Sequence, residues 1–137
     1  MDAPEPKAIK SSIEVLVDAP RNLIRAKYVG HISAAVMKAF AEGAAVQLSQ
    51  MRKGFTMLTD LSSLDSMDLD CAPVLTKLMD LSRELGVATV VRIIPDPRKD
   101  IGLNILSIVH LKSGVHIVTC QNAEEAERAI GGLKAAV

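Results

Sequence analysis

The feature that most constrains the fold is an alternation between short β-branched runs and longer segments with apolar residues at helical spacing. Prolines and charges dominate residues 1–11, which predicts a flexible leader ahead of a single domain over residues 12–137. Residues 13–28 predict two antiparallel strands joined by the turn DAPRN. Three further strands are predicted at residues 54–61, 87–94 and 114–120.

Four helices are predicted between or after these strands. They are predicted to cover residues 33–51, residues 72–86, residues 97 or 100 to 112, and residue 122 onward. Ser33 is the expected N-cap of the first helix, and Gly86 suits the left-handed position after the second. Asn122 and Glu125 have the spacing of a capping box, and the last helix is expected to fray near residues 131–132. The order β-β-α-β-α-β-α-β-α predicts an α/β fold with a mixed, mostly parallel sheet of about five strands and about four helices.

Composition excludes several classes of function. With 137 residues, zero net charge and 2% aromatic residues, the chain lacks both the basic field and the stacking side chains of a nucleic-acid binder. It has no apolar run of membrane-spanning length and no glycine-rich phosphate loop. Cys71 and Cys120 are at no metal or redox spacing, so we expect reduced core thiols in a cytoplasmic protein.

The residues 58–75, LTDLSSLDSMDLDCAPVL, place four aspartates and three serines between two apolar runs. We call residues 62–70 the acidic segment. Ligands of parallel sheets bind beyond the carboxyl ends of strands, and this segment follows a predicted strand. The candidate partner-binding or switch residues are Ser62, Ser63, Asp65, Ser66, Asp68 and Asp70. The aspartates lack the alternate spacing and central glycine of a calcium loop, so no metal site is predicted.

A second polar cluster, PDPRKDIG, follows the strand predicted at residues 87–94. Arg98 and Lys99 near a helix start could hold an anion such as a phosphate head group. A solvated turn capped by Asp96 explains the same residues. Both interpretations stay open.

The histidines give no sign of catalysis. His31, His110 and His116 lie on three predicted elements, and none is beside a serine or cysteine at a nucleophile motif. Although triads also assemble from distant residues, we predict that the chain is not an enzyme and uses no cofactor.

The order of elements, together with the residues 58–75, resembles the STAS family of anti-sigma-factor antagonists. The likeness spans residues 13–130 and is greatest to the SpoIIAA-like branch, some of whose members are grouped with Sec14-type lipid-binding domains. In that family a strand ends in Asp-Leu-Ser, and a hydrophobic residue plus Asp precede a Ser/Thr pair and Gly at a helix start. Residues 60–62 match the strand end, and Met67 with Asp68 match the later pair. The resemblance implies a SpoIIAA-like fold.

The hydroxyl pair and glycine of that family are replaced here by Leu69, Asp70 and Cys71. The second hydroxyl accepts phosphate in family members regulated by an anti-sigma kinase, so the resemblance implies that the usual phosphoacceptor is missing. Asp70 would then present a permanent charge, smaller than that of a phosphoserine. Alternatively, Asp70 or Asp68 is only an N-cap of the following helix. Ser62, Ser63 and Ser66 remain candidate phosphoacceptors.

The resemblance implies a bacterial, non-catalytic regulatory module that binds a protein partner such as a kinase, an anti-sigma-like protein or another regulator. The alternative is a carrier or sensor of a small hydrophobic or lipid-like ligand. Six methionines in an aromatic-poor chain favour this alternative, because thioethers line adaptable apolar pockets. An exposed sheet edge would also permit a homodimer.

Overall fold

The computed structural model describes residues 12–94 and 115–135, with side chains up to residue 132. The predicted leader, the third predicted helix and the cluster with Arg98 and Lys99 lie outside the described residues. The elements in chain order are β1 (Ser12–Asp18), β2 (Leu23–Ile32), α1 (Ala34–Ser49), β3 (Thr56–Met67), a 3-10 helix (Leu69–Cys71), α2 (Ala72–Glu84), β4 (Thr89–Ile93), β5 (His116–Cys120) and α3 (Ala123–Ala135).

The five strands form one sheet in the order β1-β2-β3-β4-β5. β1 pairs with β2 in antiparallel fashion, and every other neighbouring pair is parallel. The turn between β1 and β2 closes through the amide of Asn22, which donates to the carbonyl of Ala19 over 3.0 Å. This confirms the predicted hairpin and the mixed, mostly parallel sheet, with β1 at one edge.

Helices cover both faces of the sheet. On one face, Met37 and Leu48 of α1 and Leu78 of α2 belong to a buried cluster that includes Val90 of β4. On the other face, Ala126 and Ile130 of α3 belong to a smaller buried cluster that includes Val91 of β4. Because successive residues of a strand point to opposite faces, β4 has buried apolar residues on both sides and lacks a polar alternation, as the sequence predicts for a strand covered on both faces.

Three predicted helix signals are present in the structure. The hydroxyl of Ser33 accepts a hydrogen bond from an amide in the first turn of α1 over 3.2 Å. Gly86 follows α2 with a φ of +96°, in the left-handed region. Asn122 accepts from the amide of Glu125 over 2.9 Å. The predicted fraying at residues 131–132 is wrong, since α3 continues to Ala135.

The predicted end of the third strand at residue 61 is also wrong. β3 continues to Met67 because β2 is ten residues long and pairs with it as far as Ile32. The register shifts twice, between Lys27 and Val29 and between Gly30 and His31, so the extended part of β3 is irregular. Residues 62–67 of the acidic segment are therefore strand, and only its last residues form the connection to α2.

Candidate functional site

The acidic segment lies against the carboxyl end of β2. β2 and β3 are parallel, so their carboxyl ends share one edge of the sheet, where His31 is opposite Ser66 and Ile32 is opposite Met67. Beyond this pairing, the amide of Asp68 donates to the carbonyl of Ile32 over 3.0 Å. The backbone of the segment is thus held by β2 through residue 68.

The serines of the acidic segment differ in their surroundings. The Oδ1 atom of Asp60 accepts from the amide of Ser62 over 2.9 Å and from its hydroxyl over 2.6 Å. This local closure is a usual role of a serine and an aspartate two residues apart. Ser63 and Ser66 are exposed, as Ser62 is. The side chain of Ser66 forms a hydrogen bond with a residue of β2, whereas that of Ser62 bonds within β3.

His31 lies between two residues of the acidic segment. Its Nδ1 atom is 2.5 Å from Oγ of Ser66, and its Nε2 atom is 2.8 Å from Oδ1 of Asp68. The side chains of His31 and Asp68 are 50% and 46% exposed. The sequence places no histidine at a nucleophile motif, and the contact of His31 with Ser66 is one between distant residues, which the extension of β3 brings together. A neutral imidazole can satisfy both contacts, since one ring nitrogen donates and the other accepts.

The 3-10 helix that follows has no side-chain cap. Asp68 occupies the position before its first residue, but its side chain makes no capping hydrogen bond and contacts His31 instead. Asp70 lies within the first turn of this short helix, and Cys71 precedes α2 without a capping side chain. Asp68 thus has the N-cap position of the 3-10 helix, as one interpretation expects, but without the capping hydrogen bond, and Asp70 is not an N-cap.

Leu69 and Cys71 have opposite environments although they belong to the same turn. The side chain of Leu69 is 88% exposed, whereas Cys71 is fully buried and its thiol donates to the carbonyl of Ile32 over 3.5 Å. Burial raises the pKa of the Cys71 thiol, and the charges of Asp68 and Asp70 raise it further. The buried Cys71 thus attaches the turn to the core, while Leu69 of the same turn is exposed to solvent.

The remaining carboxylates of the segment give it a negative surface. Asp65 and Asp70 are exposed, and neither has a salt bridge to any residue that the structure describes. Within residues 12–94 and 115–132, no three His, Cys, Asp or Glu side chains are grouped so that they could hold a metal ion.

A cavity of about 40 Å³ lies between the sheet and the helices α1 and α2. Its lining is mostly apolar and includes Tyr28, Phe40, Met57 and Met79, with Ser82 among the polar members. An apolar cavity that binds benzene measures about 150 Å³. In this conformation the cavity is too small for a lipid. Separately, no helix in the described part of the chain is long and apolar enough to cross a membrane.

Three solved structures are similar to this chain. The anti-sigma factor antagonist SpoIIAA in its unphosphorylated form is 13% identical, with a TM-score of 0.61 over 90% of this chain and 98% of that chain. A protein of the DUF3478 family from Shewanella loihica, which has a SpoIIAA-like fold, is 13% identical, with a TM-score of 0.64 over 93% of this chain and 99% of that chain. An anti-sigma factor antagonist from Mycobacterium paratuberculosis is 18% identical, with a TM-score of 0.54 over 93% of this chain and 98% of that chain.

These likenesses confirm the predicted SpoIIAA-like α/β fold of the STAS type. At such identities they show the fold alone. No protein-family model matches the chain, and no curated protein matches it by sequence.

Proposed function

We propose that this domain is a non-catalytic regulatory module that binds a protein partner through the acidic segment and the first turn of α2. A kinase, an anti-sigma-like protein or another regulator is the kind of partner we expect. Two of the three similar structures are anti-sigma factor antagonists, which supports a regulatory role. The contacts of the acidic segment support its use as the binding surface.

The observation that carries the proposal is the exposure of Leu69. Single exposed apolar residues are common, but 88% exposure is here combined with a fixed backbone, because the flanking turn is held by Cys71 and by the amide of Asp68. Because the backbone at residue 69 is already held, binding orders little main chain, and the apolar side chain can fill a pocket of a partner. The exposed Asp68 and Asp70 on either side would select a pocket with a basic rim.

Asp70 carries the regulatory part of the proposal. The resemblance to the STAS family implies that Asp70 stands where other members have the hydroxyl that accepts phosphate, and it belongs to the first turn of the 3-10 helix. We propose that Asp70 holds the surface permanently close to a phosphorylated state. Its single charge and two oxygens imitate the phosphate only in part.

Recovery of binding partners from a lysate tests the proposed roles of Leu69 and Asp70. The tagged protein and its Leu69→Ser and Asp70→Ser variants are used to recover proteins from a lysate of the source organism, and the recovered proteins are quantified by mass spectrometry. We expect Leu69→Ser to lose the specific partner, because the apolar anchor is gone. Asp70→Ser is expected to change which partner is recovered or how much of it, because the fixed charge is gone.

Val46→Ser is the matched control. Val46 is also an exposed apolar side chain, 60% exposed near the carboxyl end of α1, and lies outside the proposed surface. Its variant should recover the partner as the unchanged protein does. Equal recovery by Leu69→Ser and Val46→Ser would contradict the proposed surface.

The alternative function is that of a carrier or sensor of a small apolar ligand. The cavity that Met57 and Met79 line is the observation that favours it. Since the cavity measures about 40 Å³, a carrier function requires α1 or α2 to move away from the sheet. Native mass spectrometry of freshly purified protein decides the question: a retained lipid-sized mass supports the carrier, and the bare mass of the chain contradicts it.

We also propose that two copies of this chain can form a homodimer through β1. β1 is an edge strand of the sheet, and Leu16 on it is 64% exposed. Pairing of two β1 strands would continue the sheet from one copy into the other. Light scattering coupled to size-exclusion chromatography gives the mass in solution, and a monomer at every concentration would contradict this proposal.

A further inference from the structure

We propose that Ser66 is an activated hydroxyl at which the domain takes up an acyl group, with His31 as the general base and Asp68 as its positioning residue. The three side chains form a continuous chain of hydrogen bonds, 2.5 Å from Ser66 to His31 and 2.8 Å from His31 to Asp68. A hydroxyl, a base and a carboxylate that orients the base are the components that activate a serine nucleophile. This inference does not rest on the proposed partner surface.

The backbone fixes the relative positions of these groups. His31 and Ser66 are direct partners in the parallel pairing of β2 with β3, at the residue that follows a register shift. Asp68 is fixed separately, because its amide donates to the carbonyl of Ile32. All three side chains are thus carried by paired backbone, which limits how far they can move apart.

The carboxylate determines which nitrogen of the imidazole carries the proton. An ionised carboxylate only accepts hydrogen bonds, so the contact of Asp68 with Nε2 favours the tautomer with hydrogen on that atom. Nδ1 of the neutral ring then has a free electron pair, which accepts the hydroxyl proton of Ser66. This is the arrangement that a general base needs before the reaction starts.

The reaction that fits this arrangement is transfer of an acyl group from a small activated ester. The Oγ atom of Ser66 forms a bond with the ester carbonyl carbon, and the hydroxyl proton passes to Nδ1 of His31. The bond from that carbon to the leaving alkoxide then breaks, and His31 returns the proton to the alkoxide. The products are an ester of Ser66 and a free alcohol, and no redox partner is required.

The solvent exposure of Ser66, His31 and Asp68 determines which acyl donors can reach the serine and whether the reaction turns over. His31 and Asp68 are half exposed and Ser66 is exposed, so the site is open to small donors of many shapes. Water screens the charges there, so the advantage that His31 gives to Ser66 is smaller than in an enclosed active site. We therefore infer stoichiometric uptake of the acyl group rather than rapid turnover, which is compatible with a non-catalytic regulatory module.

p-Nitrophenyl acetate is the probe for this inference. The folded protein is incubated with it near neutral pH, and the acetylated residues are located and timed by mass spectrometry of peptides. We expect Ser66 to be the principal acetylated serine and His31→Gln to slow its acetylation by about tenfold, below the roughly hundredfold lower bound for general bases in active sites. Ser66→Ala should lose this modification.

Ser63→Ala is the matched control, because Ser63 is another exposed serine of β3 and should not affect the labelling of Ser66. Circular dichroism verifies that each variant is folded. Acetylation of Ser63 as fast as that of Ser66 would overturn the proposal, and so would an unchanged rate in folded His31→Gln. Neither result would bear on the partner surface around Leu69.

Asp68 has its own test. Asp68→Ala should slow the acetylation of Ser66, and Asp68→Glu should restore part of the rate because it returns a carboxylate to the same side of His31. Partial rescue by the conservative variant distinguishes orientation of the imidazole from a general loosening of the turn. An unchanged rate in Asp68→Ala would overturn its positioning role.

Discussion

A side chain at Gly86 would collide with Lys53. A Cβ atom built on Gly86 would lie 2.6 Å from Cγ of Lys53 and 3.3 Å from its Cα. Gly86 also has a φ of +96°, and its carbonyl accepts from the amide of Gly54 over 2.7 Å. The close contact between the end of α2 and the approach to β3 therefore depends on the missing side chain.

We expect Gly86→Ala to lower the free energy of unfolding by about 1–3 kcal/mol, because a left-handed conformation and a collision with Lys53 act together. Urea denaturation measures the change. Gly43→Ala is the control, since Gly43 lies inside α1 and a Cβ there would meet nothing within 4 Å. Alanine at this position should raise the free energy of unfolding by about 0.5–1 kcal/mol. Effects of the same sign at both glycines would contradict the argument.

Glu127 of α3 forms an ion pair with Arg25 of β2. The distance from Nη1 of Arg25 to Oε2 of Glu127 is 2.6 Å, and Nη2 of Arg21 is 3.4 Å from Oε1. The hydrogen bond from Arg25 is the main cause that lowers the pKa of Glu127, and the charges of both arginines add to it. These ion pairs attach α3 to the sheet beside the turn between β1 and β2, where Arg21 lies.

Because the pKa of Glu127 is lower in the folded state, the pair stabilises the fold above the ordinary pKa of glutamate, and this contribution is lost as the pH falls through the folded pKa. Glu127 is 44% exposed, so we expect only about 0.2–1 kcal/mol at pH 7. Glu127→Gln should therefore be less stable than the unchanged protein at pH 7 and nearly equal to it in strong acid. Unfolding by urea at several pH values measures the difference. A constant difference at every pH would show that the charge is not its cause.

Glu124→Gln is the comparison for this experiment. Glu124 also belongs to α3, but it is 79% exposed and lies 3.6 Å from Arg128. Its substitution should change stability less than that of Glu127, because water screens the exposed pair more fully.

The parts of the fold that the sequence predicts depend on local signals. The β-branched run of β4, the cap at Ser33 and the left-handed glycine at residue 86 are each recognisable from a few neighbouring residues. The alternation of strands and helices then limits the topology, because parallel strands need crossover helices. These signals predict the mixed, mostly parallel sheet, and the SpoIIAA-like fold is what the resemblance to the STAS family adds.

The parts that it could not predict depend on pairing between distant residues. Serine and aspartate are poor strand formers, so residues 62–67 resemble a loop by composition. They are strand because the long β2 offers backbone partners as far as Ile32. The contact of His31 with Ser66 follows from that pairing, which no spacing along the chain could have indicated. For the same reason, the hydrogen bond between the Asp68 side chain and His31 could not be predicted from the sequence.

Both cysteines should react slowly with alkylating reagents in the folded protein. Cys71 and Cys120 are buried free thiols, and burial is the main cause that raises the pKa of each. Since the thiolate is the reactive form, we expect slow alkylation by iodoacetamide at pH 7, a faster rate as the pH rises, and rapid alkylation of both residues in urea. Mass spectrometry counts the modified sites. Fast labelling of Cys71 without urea would mean that the start of α2 opens readily.

Leu64 and Leu69 test whether the acidic segment is built as described. Both are leucines of the acidic segment, but Leu64 is 2% exposed in the extended part of β3 and Leu69 is 88% exposed in the 3-10 helix. We expect Leu64→Ala to lower the free energy of unfolding by about 2–5 kcal/mol, because it leaves a cavity in the core. Leu69→Ala should change it by less than about 0.5 kcal/mol, as surface substitutions do. If residues 62–67 were a solvated loop, the two variants would have equally small effects. A large effect of Leu64 with a small effect of Leu69 would instead mean that the fold does not need the exposed leucine, which leaves binding as the property that its substitution should change.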